Sequence, residues 1–332
     1  MAALLFLMGA EIVNKMGNKR EAISLLEESL ALSRQLGGPR EIADKLRNFG
    51  FNVVSTGQMV QAEAYVREGY ALTQGIGNRA SLVQAERDLG GLEQWRGNYA
   101  AAEASMARCR QAFDEFGDRY RSLETAMLEM LFMIQQAKYV EAGRCGLTYL
   151  AAAQEMKQKE IEGYLLHFLS QIALAEDRAA DAYGWGMAAA AAFVAAGGSR
   201  VPGIEYAALA ITELALGRAD EARTHIIHAL ELGVESGSQS ALRVTVGEAA
   251  LLKAYDGDLL RAVELDELAA SDPRIANDRW HEDVVRRPLL EMTAGLPAEV
   301  IVQARARGRS LDLKTVAAEL LAEFGAAQPA EH

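Results

Sequence analysis

Proline is scarce, with six in 332 residues, and cysteine scarcer, with two. So few prolines exclude a polyproline or collagen rod, and two cysteines exclude a small domain stapled by disulfides. Basic charge is also short: 34 Lys and Arg face 46 Asp and Glu, a net charge of −12. That balance disfavours a general affinity for phosphate backbones or anionic membranes, so no direct nucleic-acid binding is expected. No apolar run approaches the ~20 residues needed to cross a bilayer. The nearest, residues 182–198, is rich in Ala and Gly and sits between charged flanks. The opening MAALLFLMGA has no basic residue before its short apolar run, so it is not read as a secretion signal. Sustained alternation with hairpin turns is missing, which excludes a β architecture.

Catalytic signatures are missing too. The chain has no phosphate-binding Gly-x-x-x-x-Gly-Lys loop, no His-Glu-x-x-His helix and no Gly-x-Ser-x-Gly turn. His225 and His228 are the one close histidine pair, with Glu221 a turn earlier, and a zinc site wants three or four ligands. A structural role is expected for them. Catalytic residues, cofactor and metal are each expected to be none. Cys109 and Cys145 fall in predicted helices and read as buried free thiols, which suits a reducing cytoplasm.

What is present is a repeat. Alanine stands at 22, 62, 102, 142, 182, 222 and 262, forty residues apart. Five residues earlier stand Gly17, Gly57, Gly97, Ala137, Asp177, Gly217 and Gly257. Fifteen residues later stand Gly37, Gly77, Gly117, Lys157, Gly197, Gly237 and Asn277. Each unit reads as two helices. The first carries an apolar stripe, such as Leu46, Phe49 and Val53, or Leu166, Leu169 and Ile172. The glycines mark left-handed helix ends. The recurring alanine reads as a tight crossing of the two helices, where a larger residue overpacks the contact. Gly50, Gly90, Ser170, Ala210 and Ala250 are small for the same reason, with Met130 the exception. Seven units leave a tail of about 52 residues. The expected organisation is a repeat array over 1–277, capping helices over 278–325 and a disordered tail over 326–332.

Leu89-Gly90, Gly97-Asn98-Tyr99, Ala102 and Met106, with Phe49-Gly50, Gly57, Ala62 and Val66, resemble the tetratricopeptide repeat. The unit is longer than that family's and lacks its closing proline, and in this it is similar to the longer repeats of MalT-like bacterial regulators. The resemblance implies an all-α, right-handed superhelical solenoid of antiparallel helix hairpins. Residues 296–325, with Ala304-Arg305-Ala306-Arg307-Gly308-Arg309-Ser310-Leu311-Asp312-Leu313, resemble the segment closing the repeat region of large bacterial ATPase-, kinase- or cyclase-linked signalling proteins. This implies a non-enzymatic sensor or protein-interaction module. Its ligand would be a protein, a peptide or a small effector, with a nucleotide-binding signalling domain fused or upstream. A stand-alone receptor for a short peptide, similar to the helical-repeat peptide sensors of Gram-positive bacteria, is the competing reading, and an all-α enzyme a weaker third.

In such a solenoid the first helices line a concave groove. Its inward positions are expected at Asp44, Arg47, Phe51 and Ser55, at Gln84, Arg87, Gln94 and Trp95, at Met127, Leu131 and Gln135, and at Tyr164, His167 and Gln171. Arg47 and Arg87 are one period apart and suit a carboxylate or phosphate. Phe51, Trp95 and Tyr164 suit the aromatic anchors of an interface. In the later repeats the same positions turn apolar, at Ile204, Ala207, Ile211 and Leu214, which predicts a greasy groove or a tail folded back upon it. The opening helix AALLFLMGAEIV is apolar nearly all round, so an upstream domain or a homodimer through that end is expected.

Overall fold

A computed structural model describes residues 19–54, 58–197 and 203–326. Every regular element among them is helical. Thirteen helices follow in hairpin order: α1 (Lys19–Leu36), α2 (Pro39–Val54), α3 (Met59–Ile76), α4 (Arg79–Trp95), α5 (Tyr99–Glu115), α6 (Arg119–Ile134), α7 (Tyr139–Glu155), α8 (Lys159–Ala175), α9 (Ala179–Ala196), α10 (Ile204–Ala215), α11 (Ala219–Glu235), α12 (Gln239–Tyr255) and α13 (Leu259–Ala269). The second helices of the hairpins, α1 to α13 in odd steps, begin forty residues apart. Short helical turns at Pro273–Ala276 and Arg279–His281 follow, then a π-helical turn at Glu282–Arg286. The chain continues through α14 (Arg287–Thr293), α15 (Ala298–Ser310) and α16 (Leu313–Ala326). The expected opening helix with its apolar end, and residues 327–332 of the expected tail, lie outside the described residues.

The chain packs as two compact units, one of Met1–Glu129 with Glu235–Gln239, the other of Met130–Val234 with Ser240–His332. The core of the first gathers Leu26, Leu30, Leu46, Phe49, Val53 and Val66.

The recurring alanines explain the hairpin. Ala62, Ala102, Ala142, Ala182, Ala222 and Ala262 are each 0% exposed. Their partners are the small residues of the first helices. A Cβ on Gly50 would sit 3.1 Å from the Ala62 carbonyl and 2.5 Å from Val66 Cγ2. Ser170 Oγ donates to the Ala182 carbonyl at 2.7 Å. Met130 is accommodated because the facing residue shrinks: a Cβ on Gly146 would lie 2.5 Å from Met130 Cε. Likewise Gly186 faces Leu209, at 2.8 Å for the added Cβ. Gly143 and Gly184, in contrast, are not crowded. The glycines within α7 and α9 therefore divide into two kinds, with Gly146 and Gly186 serving close packing and Gly143 and Gly184 not.

The turns repeat as well. Backbone bonds run from Asn98 to Glu93, Lys138 to Met133, Arg178 to Ala173, Arg218 to Glu213 and Asp258 to Lys253, each N–H reaching back five residues. This is the helix ending that places one residue in the left-handed region. Gly97, Gly217 and Gly257 adopt it freely, but Ala137 (φ 60°), Lys157 (φ 56°) and Asp177 (φ 57°) adopt it too. For an L side chain that conformation costs roughly 1–2 kcal/mol. The repeat geometry holds the register even where glycine has been lost.

Two outcomes follow. Ala142→Leu should destabilise the protein by about 1–3 kcal/mol, seen as a lower urea midpoint, since the crossing has no room for the added atoms. Ala137→Gly should instead stabilise the protein by about 0.5–1 kcal/mol, seen as a higher urea midpoint, the relieved strain exceeding the entropy glycine adds to the unfolded chain. A neutral Ala142→Leu would show that the crossing is not tight.

Candidate functional site

On the first-helix face of the first unit, Arg47 of α2 and Arg87 of α4 are each clamped by carboxylates of their own chain. Arg47 donates through Nε to Asp88 and through Nη1 to Asp44 Oδ1 at 2.8 Å. Gln84 Nε2 donates to the other Asp88 oxygen at 3.2 Å. Arg87 Nη1 donates to Glu124 Oε2 of α6 at 2.5 Å. The buried Asp88 therefore draws Arg47 and Gln84 together, while Arg87 turns to the next helix along. Both guanidinium groups keep N–H donors beyond these bonds, since each carries five. Neither arginine is an unpaired cation awaiting an anion.

The other residues read as groove positions divide. Trp95 packs against the apolar core of α2 and α3, and Met127 is buried. Gln94 is half-buried. Ser55 and the side chains of Phe51 and Ile204 lie outside the described residues. In the second unit Leu131 is half-buried. Tyr164 and His167 are buried, Tyr164 edge-on to Phe193 with ring centroids 5.0 Å apart and His167 against Phe168 at 5.6 Å. Burial pushes the His167 imidazole down to about 4, so it is neutral near pH 7. Gln171 instead meets the C-terminal segment, because its backbone carbonyl accepts the Trp280 indole N–H at 2.8 Å.

That segment crosses the first helices of the second unit. The Arg279 N–H donates to the Gln135 carbonyl at 3.0 Å. Gln135 Nε2 donates to Asp278 Oδ2 at 3.3 Å. The Tyr139 hydroxyl donates to Asp283 Oδ2 at 2.9 Å. His281 lies over Gly247 of α12, where an added Cβ would come within 3.0 Å of Cε1. Farther along, Val284, Arg287 and Pro288 share a cleft of about 300 Å³ with Leu174, Ile211 and Leu251. Ala207, Ile211 and Leu214 are buried. Of that apolar wall, Ile211 faces the C-terminal segment across the cleft.

The contact is polar and incompletely bonded. Gln135 Oε1, Gln171 Oε1, Glu248 Oε2, Asp266 Oδ1 and His281 Nε2 are buried with no hydrogen-bond partner. His281 Nε2 and Asp266 Oδ1 stand 3.7 Å apart, too far for a hydrogen bond. Each such group costs about 1–3 kcal/mol when left unpaired. Burial alone pushes the Glu248 carboxyl up to about 8 and raises that of Asp278. The signal that could have found this site is the cluster Asp278-Arg279-Trp280-His281, a large aromatic among charges just past the last repeat.

The remaining features have local partners. Arg307 and Arg309 donate to Glu264 and Glu267 of α13, at 2.6 and 2.7 Å. Arg286 donates to Asp266 at 3.0 Å. The basic stretch thus fastens the closing helices onto the array. His225 Nδ1 lies 2.7 Å from Glu213 Oε2 and stacks on Tyr206, which also meets His228. Cys109 is buried and its thiol is pushed up to about 11 by desolvation, while Cys145 is half-buried. Among the described residues no group of three or more His, Cys, Asp or Glu is placed to hold a metal ion, and no helix is long and apolar enough to cross a membrane.

No protein-family model matches the chain, and no curated protein matches it. Solved structures do. A Rap protein complexed with Competence and Sporulation Factor superposes with a TM-score of 0.64 at 11% identity, over 96% of this chain and 99% of that one. A signal transduction ATPase with numerous domains that carries a tetratricopeptide repeat sensor, from Pyrococcus horikoshii, superposes with a TM-score of 0.53 at 14% identity. The match spans 98% of this chain and half of that one. The fold is tetratricopeptide-like. These hairpins are the common ground, and the self-paired arginines and the seated C-terminal segment are read from this chain alone.

Glu248 gives the site a pH signature. Between its ordinary value of 4.5 and about 8 the folded chain holds a proton that the unfolded chain has released. Its contribution to stability is full below 4.5 and is lost as pH rises through about 8. Glu248→Gln should remove that slope, measured as urea midpoints from about pH 5 to pH 8. Parallel curves for the two proteins would show that Glu248 is ionised in the fold.

Proposed function

We propose that this chain is a non-enzymatic interaction module whose first-helix face in the first unit holds a segment of a protein or peptide partner. In this reading it is the sensory repeat region of a bacterial cytoplasmic signalling or transcriptional regulator. Support comes chiefly from the pair Arg47 and Arg87. They stand one repeat apart, are held in place by Asp88 and Glu124, and keep guanidinium donors to spare. Side chains fixed beforehand lose little freedom on binding, which favours affinity. Displacing the internal carboxylates is unfavourable, because Asp88 is 6% exposed and would be left as a buried unpaired charge. A partner would therefore be met by the remaining N–H groups, which suit main-chain carbonyls or a carboxylate added to the ladder. The exposed Asp44 carboxylate at its rim suits a basic residue beside them.

The stand-alone receptor is the second reading. It is favoured by the near-complete mutual coverage with the Rap structure, which holds Competence and Sporulation Factor. The sensor reading draws on the ATPase that carries its repeats beside other domains. Both place the ligand on the same face and differ in how its occupancy is relayed.

A peptide selected from a random display library on the full chain tests the face. Arg47→Lys with Arg87→Lys keeps the charges that Asp88 and Glu124 need and removes the planar fork. Affinity for the selected peptide should fall about tenfold or more, a loss of about 1.4 kcal/mol. An unchanged dissociation constant would place the ligand elsewhere.

A further inference from the structure

The unbonded polar atoms gather at one place. Of the five buried side-chain atoms without a partner among the described residues, one is on His281 of the segment and three are on residues it touches, Gln135, Gln171 and Asp266, while Glu248 follows Gly247, over which His281 lies. The segment itself is irregular. It is a three-residue helical turn leading into a π-helical turn, Glu282–Arg286, a conformation that recurs at functional sites. Its hold on the wall combines one large apolar anchor with single polar contacts. Trp280 is buried and donates to the Gln171 carbonyl. Asp278 accepts from the Gln135 amide, and the backbone N–H of Arg279 donates to the Gln135 carbonyl. Gln135 and Gln171 thus act as a pair of receptors 36 residues apart on the repeat. Each retains a buried side-chain oxygen with no hydrogen-bond partner.

We propose that this wall is a second recognition site, for a segment carrying an acidic residue two positions before an aromatic, and that residues 278–288 occupy it in cis as an internal competitor. The seat reads a carboxylate with the Gln135 amide, an indole with the Gln171 carbonyl, and a second carboxylate with the Tyr139 hydroxyl. The internal segment satisfies these features but leaves the Gln135 and Gln171 side-chain oxygens unbonded. A partner segment with the same acid and aromatic, and with a donor to reach those atoms, fits the seat better than the chain's own residues. Its binding releases 278–288 and with it the start of α14, which carries the signal toward the closing helices. This site is independent of the arginine face of the first unit, and neither depends on the other.

The test uses the full chain and a labelled peptide, Asn277 to Pro288 of this sequence, as probe. Asp278→Ala with Trp280→Ala loosens the internal segment and leaves the receptors Gln135, Gln171 and Tyr139 intact. The peptide should bind this variant at least tenfold more tightly than wild type, and Gln135→Ala added to the variant should abolish the gain. Equal affinity for wild type and variant overturns the proposal, as does absence of binding to a variant that keeps the wild-type helical content and cooperative melting. Should the double variant not fold, Asp278→Asn serves in its place, with the same comparison against wild type. Hydrogen exchange supplies an independent reading. Residues 278–288 should exchange faster than α8 and α12 of the same unit, and protection equal to that of those helices overturns the proposal.

Discussion

One contact sets the rest of this structure: the crossing of two helices at a methyl group. With alanine on the second helix and a glycine, serine or alanine on the first, backbone approaches backbone, as at Gly50 against the Ala62 carbonyl. Close packing makes the volume at this point a conserved sum rather than a fixed residue. Where the first helix carries Met130, the neighbouring second helix carries Gly146. The crossing fixes where each helix must stop, and so it also fixes the left-handed turn. Ala137, Lys157 and Asp177 take that conformation because the geometry on either side leaves no other.

A fixed crossing also sets the electrostatics. Once hairpins stack at a constant interval, a side chain on one first helix meets its counterpart on the next. Arg47 reaches Asp88, and Arg87 reaches Glu124, across 41 and 37 residues. The same arithmetic joins Arg307 and Arg309 to Glu264 and Glu267. A chain with a net charge of −12 has carboxylates enough to pair with its arginines wherever they fall. Its basic features therefore work from within paired networks. An external anion meets them only through donors that those networks leave unused.

The fold was legible because packing constraints leave a periodic trace. Ala22 to Ala262 and the stripe of Leu46, Phe49 and Val53 are such traces, and the helices lie where these predict. The site was less legible, for two physical reasons. First, a helix face seen in sequence does not say which of its members is covered by the next hairpin. Tyr164, His167 and Trp95 share the register of groove residues and are packed against neighbours instead. Second, the contacts of the C-terminal segment join residues 109 to 144 positions apart, and no local pattern encodes them. The apolar Ala207, Ile211 and Leu214 did carry half of that information, since a wall too greasy for water calls for a cover. They could not say that the cover would bring a tryptophan, a histidine and three carboxylates with it.

That mixture has a thermodynamic consequence. A cover made only of apolar side chains would seal the wall and open only with the whole unit. This one buries Trp280, Val285 and Leu289, which favours closure. It also buries His281 against Asp266 of α13 with incomplete bonding, which favours opening. The unbonded groups oppose the apolar burial and lower the net free energy of closure. The hairpin crossings and turns show no such opposition: the recurring alanines are fully buried, and the turns repeat their backbone bonds from Asn98 to Asp258. Close packing is thus concentrated in the hairpins, and incompletely bonded polar contacts gather where the C-terminal segment crosses them.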